Sequence, residues 1–261
     1  MIKKKGFKYV VFSDLDGTLL DHYTYSFVKA EVALKKLKEA SIPLVLCSSK
    51  TRAEIDIWQT RLSINDPIIS ENGGAIFLKN LKVDRYKVIE LGMPYKEIVL
   101  NYKRLKQLLG DKIRGFSEMT EKELMEYTGL SFDEVVLAKK RDYSEPFLFT
   151  GDSKYLGLLK DYVRELGLNL NKGGRFFHLT GDNDKGKAVK ILIDFYKKIR
   201  PEILTVGIGD SQNDFPMLKM VDIPILVMKH NNAYEEIGLL NIRLAGGIGP
   251  AGWNKAIMSL F

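Results

Sequence analysis

Short apolar runs that end abruptly at polar residues alternate along this chain with longer stretches in which apolar residues recur every three or four positions. Lys8-Tyr9-Val10-Val11-Phe12-Ser13 is β-branched and aromatic and stops at acidic and glycine residues, which predicts a parallel strand buried on both faces. Residues 27–40 place Phe27, Ala30, Leu34 and Leu37 at helical spacing with lysines and glutamates between them. A second strand is predicted over 42–47, a helix over 52–62 and a third strand over 67–70; such alternation implies a parallel α/β sheet. The pattern resumes with a helix over 187–199 and strands over 203–208 and 223–228. In between, helical stretches over 95–109, 122–127 and 154–166 mix with short strands over 147–150 and 176–179, an insert long enough to be a domain. We expect a core of residues 1–81 and 185–261, with residues 82–184 inserted as a separate α+β unit.

Composition fits that outline. A chain of 261 residues, 45% hydrophobic, can bury one large core and a smaller one beneath a charged surface. No run approaches the roughly 18 to 20 apolar residues of a membrane span. The start, Met1-Ile2-Lys3-Lys4-Lys5, is not followed by the apolar segment of a signal peptide. The single cysteine, Cys47, excludes an internal disulfide and any cysteine-clustered zinc site, which suits a reducing, cytoplasmic setting. The net charge of +7 arises from 40 basic residues interleaved with 33 acidic ones, a solvated mixed surface rather than a nucleic-acid stripe. No nucleic-acid or membrane partner is expected; the basic excess instead favours a small anionic substrate.

The chemistry gathers at predicted strand ends. Asp14-Leu15-Asp16-Gly17-Thr18 follows the first strand, where an α/β sheet presents its ligands. Two carboxylates two residues apart repel one another and call for a cation, and Mg²⁺ suits them as a hard ion held by carboxylates, water and phosphate. Gly17 permits a turn in which backbone N–H groups approach a phosphate. Taken alone, the pair is equally a turn, a helix cap or the metal site of a nucleotide-sugar glycosyltransferase; no Gly-x-Gly-x-x-Gly follows the strand to support the last. Ser48-Ser49-Lys50-Thr51 closes the second strand with hydroxyls and a cation, or simply caps the next helix. Asp184-Lys185-Gly186 opens a helix with a lysine that the macrodipole disfavours unless it faces an anion. Gly207-Ile208-Gly209-Asp210-Ser211-Gln212-Asn213-Asp214 adds two more carboxylates after another strand.

These segments, in this order, resemble the haloacid dehalogenase superfamily over nearly the whole chain. The resemblance implies a three-layer, Rossmann-like parallel-sheet α/β core with an inserted cap of the second (C2) type. It also implies phosphoryl transfer in which Asp14 is the nucleophile, Asp16 the acid/base, Ser48 a phosphoryl donor and Lys185 a counter-charge. Asp210, with Asp14 and the backbone of Asp16, would hold Mg²⁺, and Asp214 would support them. Three further features resemble the mannosyl-3-phosphoglycerate phosphatase branch: Ser48-Ser49-Lys50-Thr51, Arg141-Asp142-Tyr143-Ser144-Glu145-Pro146-Phe147, and Gly173-Gly174-Arg175-Phe176-Phe177-His178. A phosphorylated sugar-glycerate substrate is expected from them, with Ser49, Lys50, Asn72, Gly73, Arg141, Ser144, Glu145 and Arg175 as its contacts. Arginines suit its anions and Glu145 its sugar hydroxyls. A glucosyl analogue, another sugar phosphate, a phosphomutase reaction and a non-catalytic regulator are the alternatives. His178 is expected to be a hydrogen-bonded structural histidine, and His22 and His230 belong to no catalytic constellation.

Overall fold

A computed structural model describes residues 7–80, 85–173, 175–236 and 238–261. In chain order the core contributes β1 (Tyr9–Ser13), α1 (Glu31–Glu39), β2 (Leu44–Cys47), α2 (Arg52–Leu62), β3 (Ile68–Ser70), β4 (Ala75–Asn80) and β5 (Arg85–Glu90). The insert follows with α3 (Tyr95–Leu109), β6 (Ile113–Gly115), α4 (Glu121–Thr128), α5 (Phe132–Ala138), β7 (Ser144–Phe149), α6 (Ser153–Glu165), β8 (Asn169–Gly173) and β9 (Phe176–Thr180). The core then resumes with α7 (Lys185–Ile199), β10 (Leu204–Gly209), α8 (Phe215–Met220), β11 (Ile223–Met228), β12 (Arg243–Ile248) and α9 (Pro250–Met258).

The eight-stranded sheet runs β12-β11-β10-β1-β2-β3-β4-β5, with β1 central and buried at every residue. Alternate residues of β1 face opposite layers, Tyr9 and Val11 toward α1, α2 and α9, Val10 and Phe12 toward α7 and α8. Three layers result. From β12 to β3 the pairing is parallel, as the sequence alternation predicts, whereas β4 and β5 are antiparallel. The physical reason is the connection: residues 71–74 are too few for a crossover helix, so the chain doubles back beside β3. The expected boundary at 81/82 lies outside the described residues. β5 still belongs to the large sheet, so the first stretch assigned to the insert is an edge strand of the core. The helix expected over 27–40 starts at Glu31, after a tight turn over Val28–Ala30.

The insert is an antiparallel sheet of order β6-β7-β9-β8. One face packs on α3 and α6 through Ile98, Tyr102, Phe147, Leu159 and Leu179. The other carries Ser144, Pro146, Asn171, His178 and Thr180, and β8 packs against the core turn Gln212–Asp214, so this polar face roofs the core's strand ends. α4 and α5 form a side cluster with Phe116 and Met119, each helix opened by a capping box, Thr120 with Glu123 and Ser131 with Glu134. Among the described residues no helix is long and apolar enough to cross a membrane.

Candidate active site

The carboxyl ends of β1 and β10 bring Asp14 and Asp210 together, because the two strands pair in register and the Asp14 N–H donates to the Ile208 carbonyl at 3.0 Å. Asp214 closes the group from the turn after β10. One oxygen from each of Asp14, Asp210 and Asp214 lies within 4.8 Å of the others, and all three residues are buried. Lys185, 1% exposed at the start of α7, donates to Asp14 at 2.6 Å and to Asp214 at 2.6 Å. Asp184 caps that helix by accepting from the Lys187 N–H at 2.8 Å, which fixes where Lys185 emerges.

Burial, reinforced by Asp214 and opposed by Lys185, holds the Asp14 carboxyl well above the usual range. Burial and Asp214 push Asp210 up to about 7. Burial alone would favour loss of the Lys185 proton, but Asp14 and Asp214 hold it as ammonium more firmly than an ordinary lysine. One lysine does not neutralise three crowded carboxylates, and an all-oxygen donor set of this kind fits a hard divalent cation. Asp214 is already committed: its second oxygen accepts from the N–H groups of Asp210 (3.0 Å) and Ser211 (3.1 Å), so it braces the site. Gly17, at φ +77°, allows the loop to pass beside Asp210; a Cβ there would sit 2.9 Å from its Oδ2.

Asp16, expected among the metal carboxylates, lies elsewhere. Lys50 draws its side chain away to 3.0 Å, and the compact acidic group among the described residues comprises Asp14, Asp210 and Asp214. The other Asp16 oxygen is buried without a hydrogen-bond partner. Lys50 also faces Glu54 at 3.6 Å; burial disfavours its charge, yet Asp16 and Glu54 more than offset this and raise its pKa. Ser48 is fully buried at the end of β2, and its Oγ accepts from the Lys50 N–H at 3.2 Å. Asn72 and Gly73 stand beside it in left-handed backbone, with Asn72 N–H donating to the Ser48 carbonyl at 3.0 Å and Asn72 Oδ1 accepting from Asn213 at 3.3 Å. At Gly73, φ +90°, a Cβ would fall 2.0 Å from the Asp184 carbonyl, so the turn and the start of α7 pack backbone to backbone.

The insert residues meet the core in a different way from that expected. Arg141, 9% exposed, gives its donors to protein acceptors: Ala138 O at 3.0 Å, Ser49 O at 2.9 Å and Ser144 Oγ at 3.0 Å. Ser144 in turn donates to Glu71 at 2.7 Å. Glu145 accepts from Tyr95 OH at 2.7 Å and from the Ser117 N–H and hydroxyl at 2.8 and 2.6 Å, leaving it a structural anchor between α3 and β7. Arg175 is exposed and donates to the Tyr127 carbonyl at 2.7 Å; its neighbour Gly174 lies outside the described residues. His178 departs from its expectation in the other direction, with Nδ1 buried and unpartnered. His22 and His230 stack with ring centroids 4.1 Å apart. Glu71, at φ +48° and fully buried, accepts from the N–H groups of Asp142 (2.9 Å) and Tyr143 (3.1 Å) and ties core to insert. Nothing in its sequence context marks it for that task, since its partners lie about 70 residues away.

Residues 11–237 match the family model of the haloacid dehalogenase-like hydrolases. The chain is 45% identical over 264 residues to a glucosyl-3-phosphoglycerate/mannosyl-3-phosphoglycerate phosphatase of Methanococcoides burtonii, covering 97% of each. A protein of the same description from Persephonella marina is 43% identical, with 95% of each chain covered. Among solved structures, a haloacid dehalogenase-like hydrolase from Bacteroides thetaiotaomicron superposes with a TM-score of 0.68 over 98% of this chain and 100% of its own, at 19% identity, a likeness of fold. The matched stretch spans Asp14, Lys185, Asp210 and Asp214, and the chain belongs to the haloacid dehalogenase-like hydrolase family.

Proposed function

We propose that the protein hydrolyses a phosphomonoester through an aspartyl phosphate formed on Asp14, and that its physiological ester is a 3-phosphoglycerate glycosylated at the 2-position. The observation that carries this reading is Lys185 held at 2.6 Å between Asp14 and Asp214, with Asp210 alongside. A carboxylate attacks a dianionic phosphate only when neighbouring charge offsets the repulsion, and Lys185 is fixed beside the attacking oxygen. Asp14 forms the bond to phosphorus as the ester oxygen leaves. Asp16, released from Lys50, gives that oxygen its proton and then takes one from the water that cleaves the aspartyl phosphate. Ser48 donates to the phosphoryl oxygens. Mg²⁺, held by Asp14, Asp210 and the Asp16 carbonyl, supplies the remaining positive charge when bound. The cap's polar face excludes water and selects the ester.

The mannosyl compound is the first candidate substrate, yielding mannosylglycerate and phosphate. The relatives described for both glycosyl forms make the glucosyl compound the second. A lone buried thiol and the absence of a spanning helix among the described residues support a cytoplasmic reaction. The test is phosphate release from mannosyl-3-phosphoglycerate, glucosyl-3-phosphoglycerate, 3-phosphoglycerate and mannose 6-phosphate, with Mg²⁺ and with EDTA, using Asp14→Asn as control. Release confined to the glycosylated glycerates and lost in EDTA and in the variant supports the reading. Preference for mannose 6-phosphate overturns the substrate, and release that survives Asp14→Asn overturns the mechanism.

A further inference from the structure

The loop that carries Ser48 has three consecutive carbonyls, each held by one hydrogen bond. Ser48 O accepts from the Asn72 N–H at 3.0 Å and Lys50 O from the Glu71 N–H at 3.0 Å, both within the core. The middle one, Ser49 O, accepts from Arg141 Nη1 at 2.9 Å, and Arg141 belongs to the cap. Ser49 C=O and Lys50 N–H are the two ends of one planar peptide unit, so fixing the carbonyl fixes the direction of the N–H. That N–H donates to Ser48 Oγ at 3.2 Å. With a lone pair of Oγ occupied by that N–H, the Ser48 hydroxyl hydrogen remains available for donation.

We infer that Arg141 is a positioning residue: it acts through the Ser49–Lys50 peptide to hold Ser48 as a hydrogen-bond donor to the transferring phosphoryl group, and so makes the phosphate loop depend on the seated cap. Arg141 is itself fixed by Ala138 O and Ser144 Oγ, and Ser144 by the core's Glu71, whose carboxylate also receives the N–H groups of Asp142 and Tyr143. A second bond between the same partners, Thr51 Oγ1 to the Leu137 carbonyl at 3.0 Å, ties the far end of the loop to the cap. The inference rests on the phosphatase reading for its consequence in turnover, but not for its consequence in phosphate affinity.

The experiment is a double-mutant cycle between Arg141→Ala and Ser48→Ala, read by kcat on p-nitrophenyl phosphate, which lacks sugar and glycerate, and by calorimetric affinity for inorganic phosphate with Mg²⁺. Each single variant is expected to lose about tenfold in both readouts, the scale of one charge-assisted hydrogen bond, and the double variant no more than the worse single one. Millimolar guanidinium should restore much of the loss in Arg141→Ala and none in Ser48→Ala. Additive losses overturn the inference, as does unchanged phosphate affinity with a raised KM only for glycosylated esters, which would make Arg141 a substrate contact. Should Arg141→Ala not fold, Arg141→Lys, which keeps the charge but loses the planar fork that reaches Ala138, Ser49 and Ser144 together, carries the same cycle. A wild-type protein that releases phosphate from no ester would overturn the proposed function while the affinity cycle still decides this one.

Discussion

Replacing Lys185 by methionine removes a cation while keeping most of an unbranched side chain. The lost ammonium is 1% exposed and donates at 2.6 Å to Asp14 and to Asp214, so the variant leaves two buried carboxylates facing each other. Removing one partner of a buried ion pair costs about 3–5 kcal/mol, which for a chain of this size lowers the Tm of the metal-free protein on the order of 10 °C. The loss has a pH signature. Without the lysine, the Asp14 carboxyl titrates further above its unfolded value, so the folded state holds a proton that the unfolded state has released. Stability from that uptake is fully present below the ordinary carboxylate range and disappears as pH rises through the raised pKa. The variant should therefore melt closer to wild type at about pH 5 than at about pH 8. Turnover should fall by about 10²–10³-fold with Mg²⁺ present, the scale of one preorganised charge at a developing anion. Melting in EDTA at the two pH values and phosphate release below the variant's Tm are the assays. A variant with wild-type Tm in EDTA and kcat within about threefold of wild type would refute the account of Lys185, since a removed oxyanion donor costs far more.

Asp210, pushed up to about 7, should make the EDTA-treated protein more stable at about pH 5 than at about pH 8, its contribution being lost as pH rises through about 7; a flat profile would speak against the crowded-carboxylate picture. Added Mg²⁺ should recover stability at the higher pH by mass action on the folded state. Gly73→Ala should destabilise by about 1–3 kcal/mol or prevent folding, because its Cβ meets the Asp184 carbonyl and its backbone is left-handed, and chemical denaturation reads the loss. Burial, with Arg141 and Lys185 nearby, lowers His178 to about 3, so the folded state refuses a proton that the unfolded chain takes up. His178's contribution to stability should then fall by at most about 1.4 kcal/mol per pH unit as pH drops from about 6.5, read as the difference between wild type and His178→Gln at each pH, in which the opposing carboxylate contributions cancel. Ring-proton NMR that finds this histidine protonated at about pH 6 would contradict the prediction.

The strand-end motifs were legible because each consists of neighbours in sequence: an apolar run, then its carboxylates, hydroxyls or lysine. Parallel pairing of β1 with β10 does the rest by placing those ends side by side. What spacing along the chain does not reveal is which donor meets which acceptor across it. Arg141 and Glu145 look like free recognition groups in sequence, yet their partners are Ser49, Tyr95 and Ser117, contributed by other segments. Asp16 and Asp14 share a motif, but only the fold brings Lys50 near enough to divert one of them. β12, Arg-Leu-Ala-Gly-Gly-Ile, has too little apolar alternation to be predicted as a strand and forms at the sheet edge beside β11. The antiparallel return of β4 beside β3 was hidden because Glu71-Asn72-Gly73-Gly74 reads as a turn in either topology.

Ser13, the residue before the proposed nucleophile Asp14, donates to the Asp14 carbonyl at 2.7 Å and accepts from the indole N–H of Trp253 at 2.9 Å, a partner 240 residues downstream. Trp253 is fully buried in α9, and β1 takes one of its two neighbouring strands from residues 204–209. Synthesis proceeds from the other end, so a nascent chain exposes Asp14 long before the partners that seat it exist. If Asp14 accepts phosphate as proposed, partly made chains should be unable to do so, and the site should come into being as one of the last events of folding rather than the first.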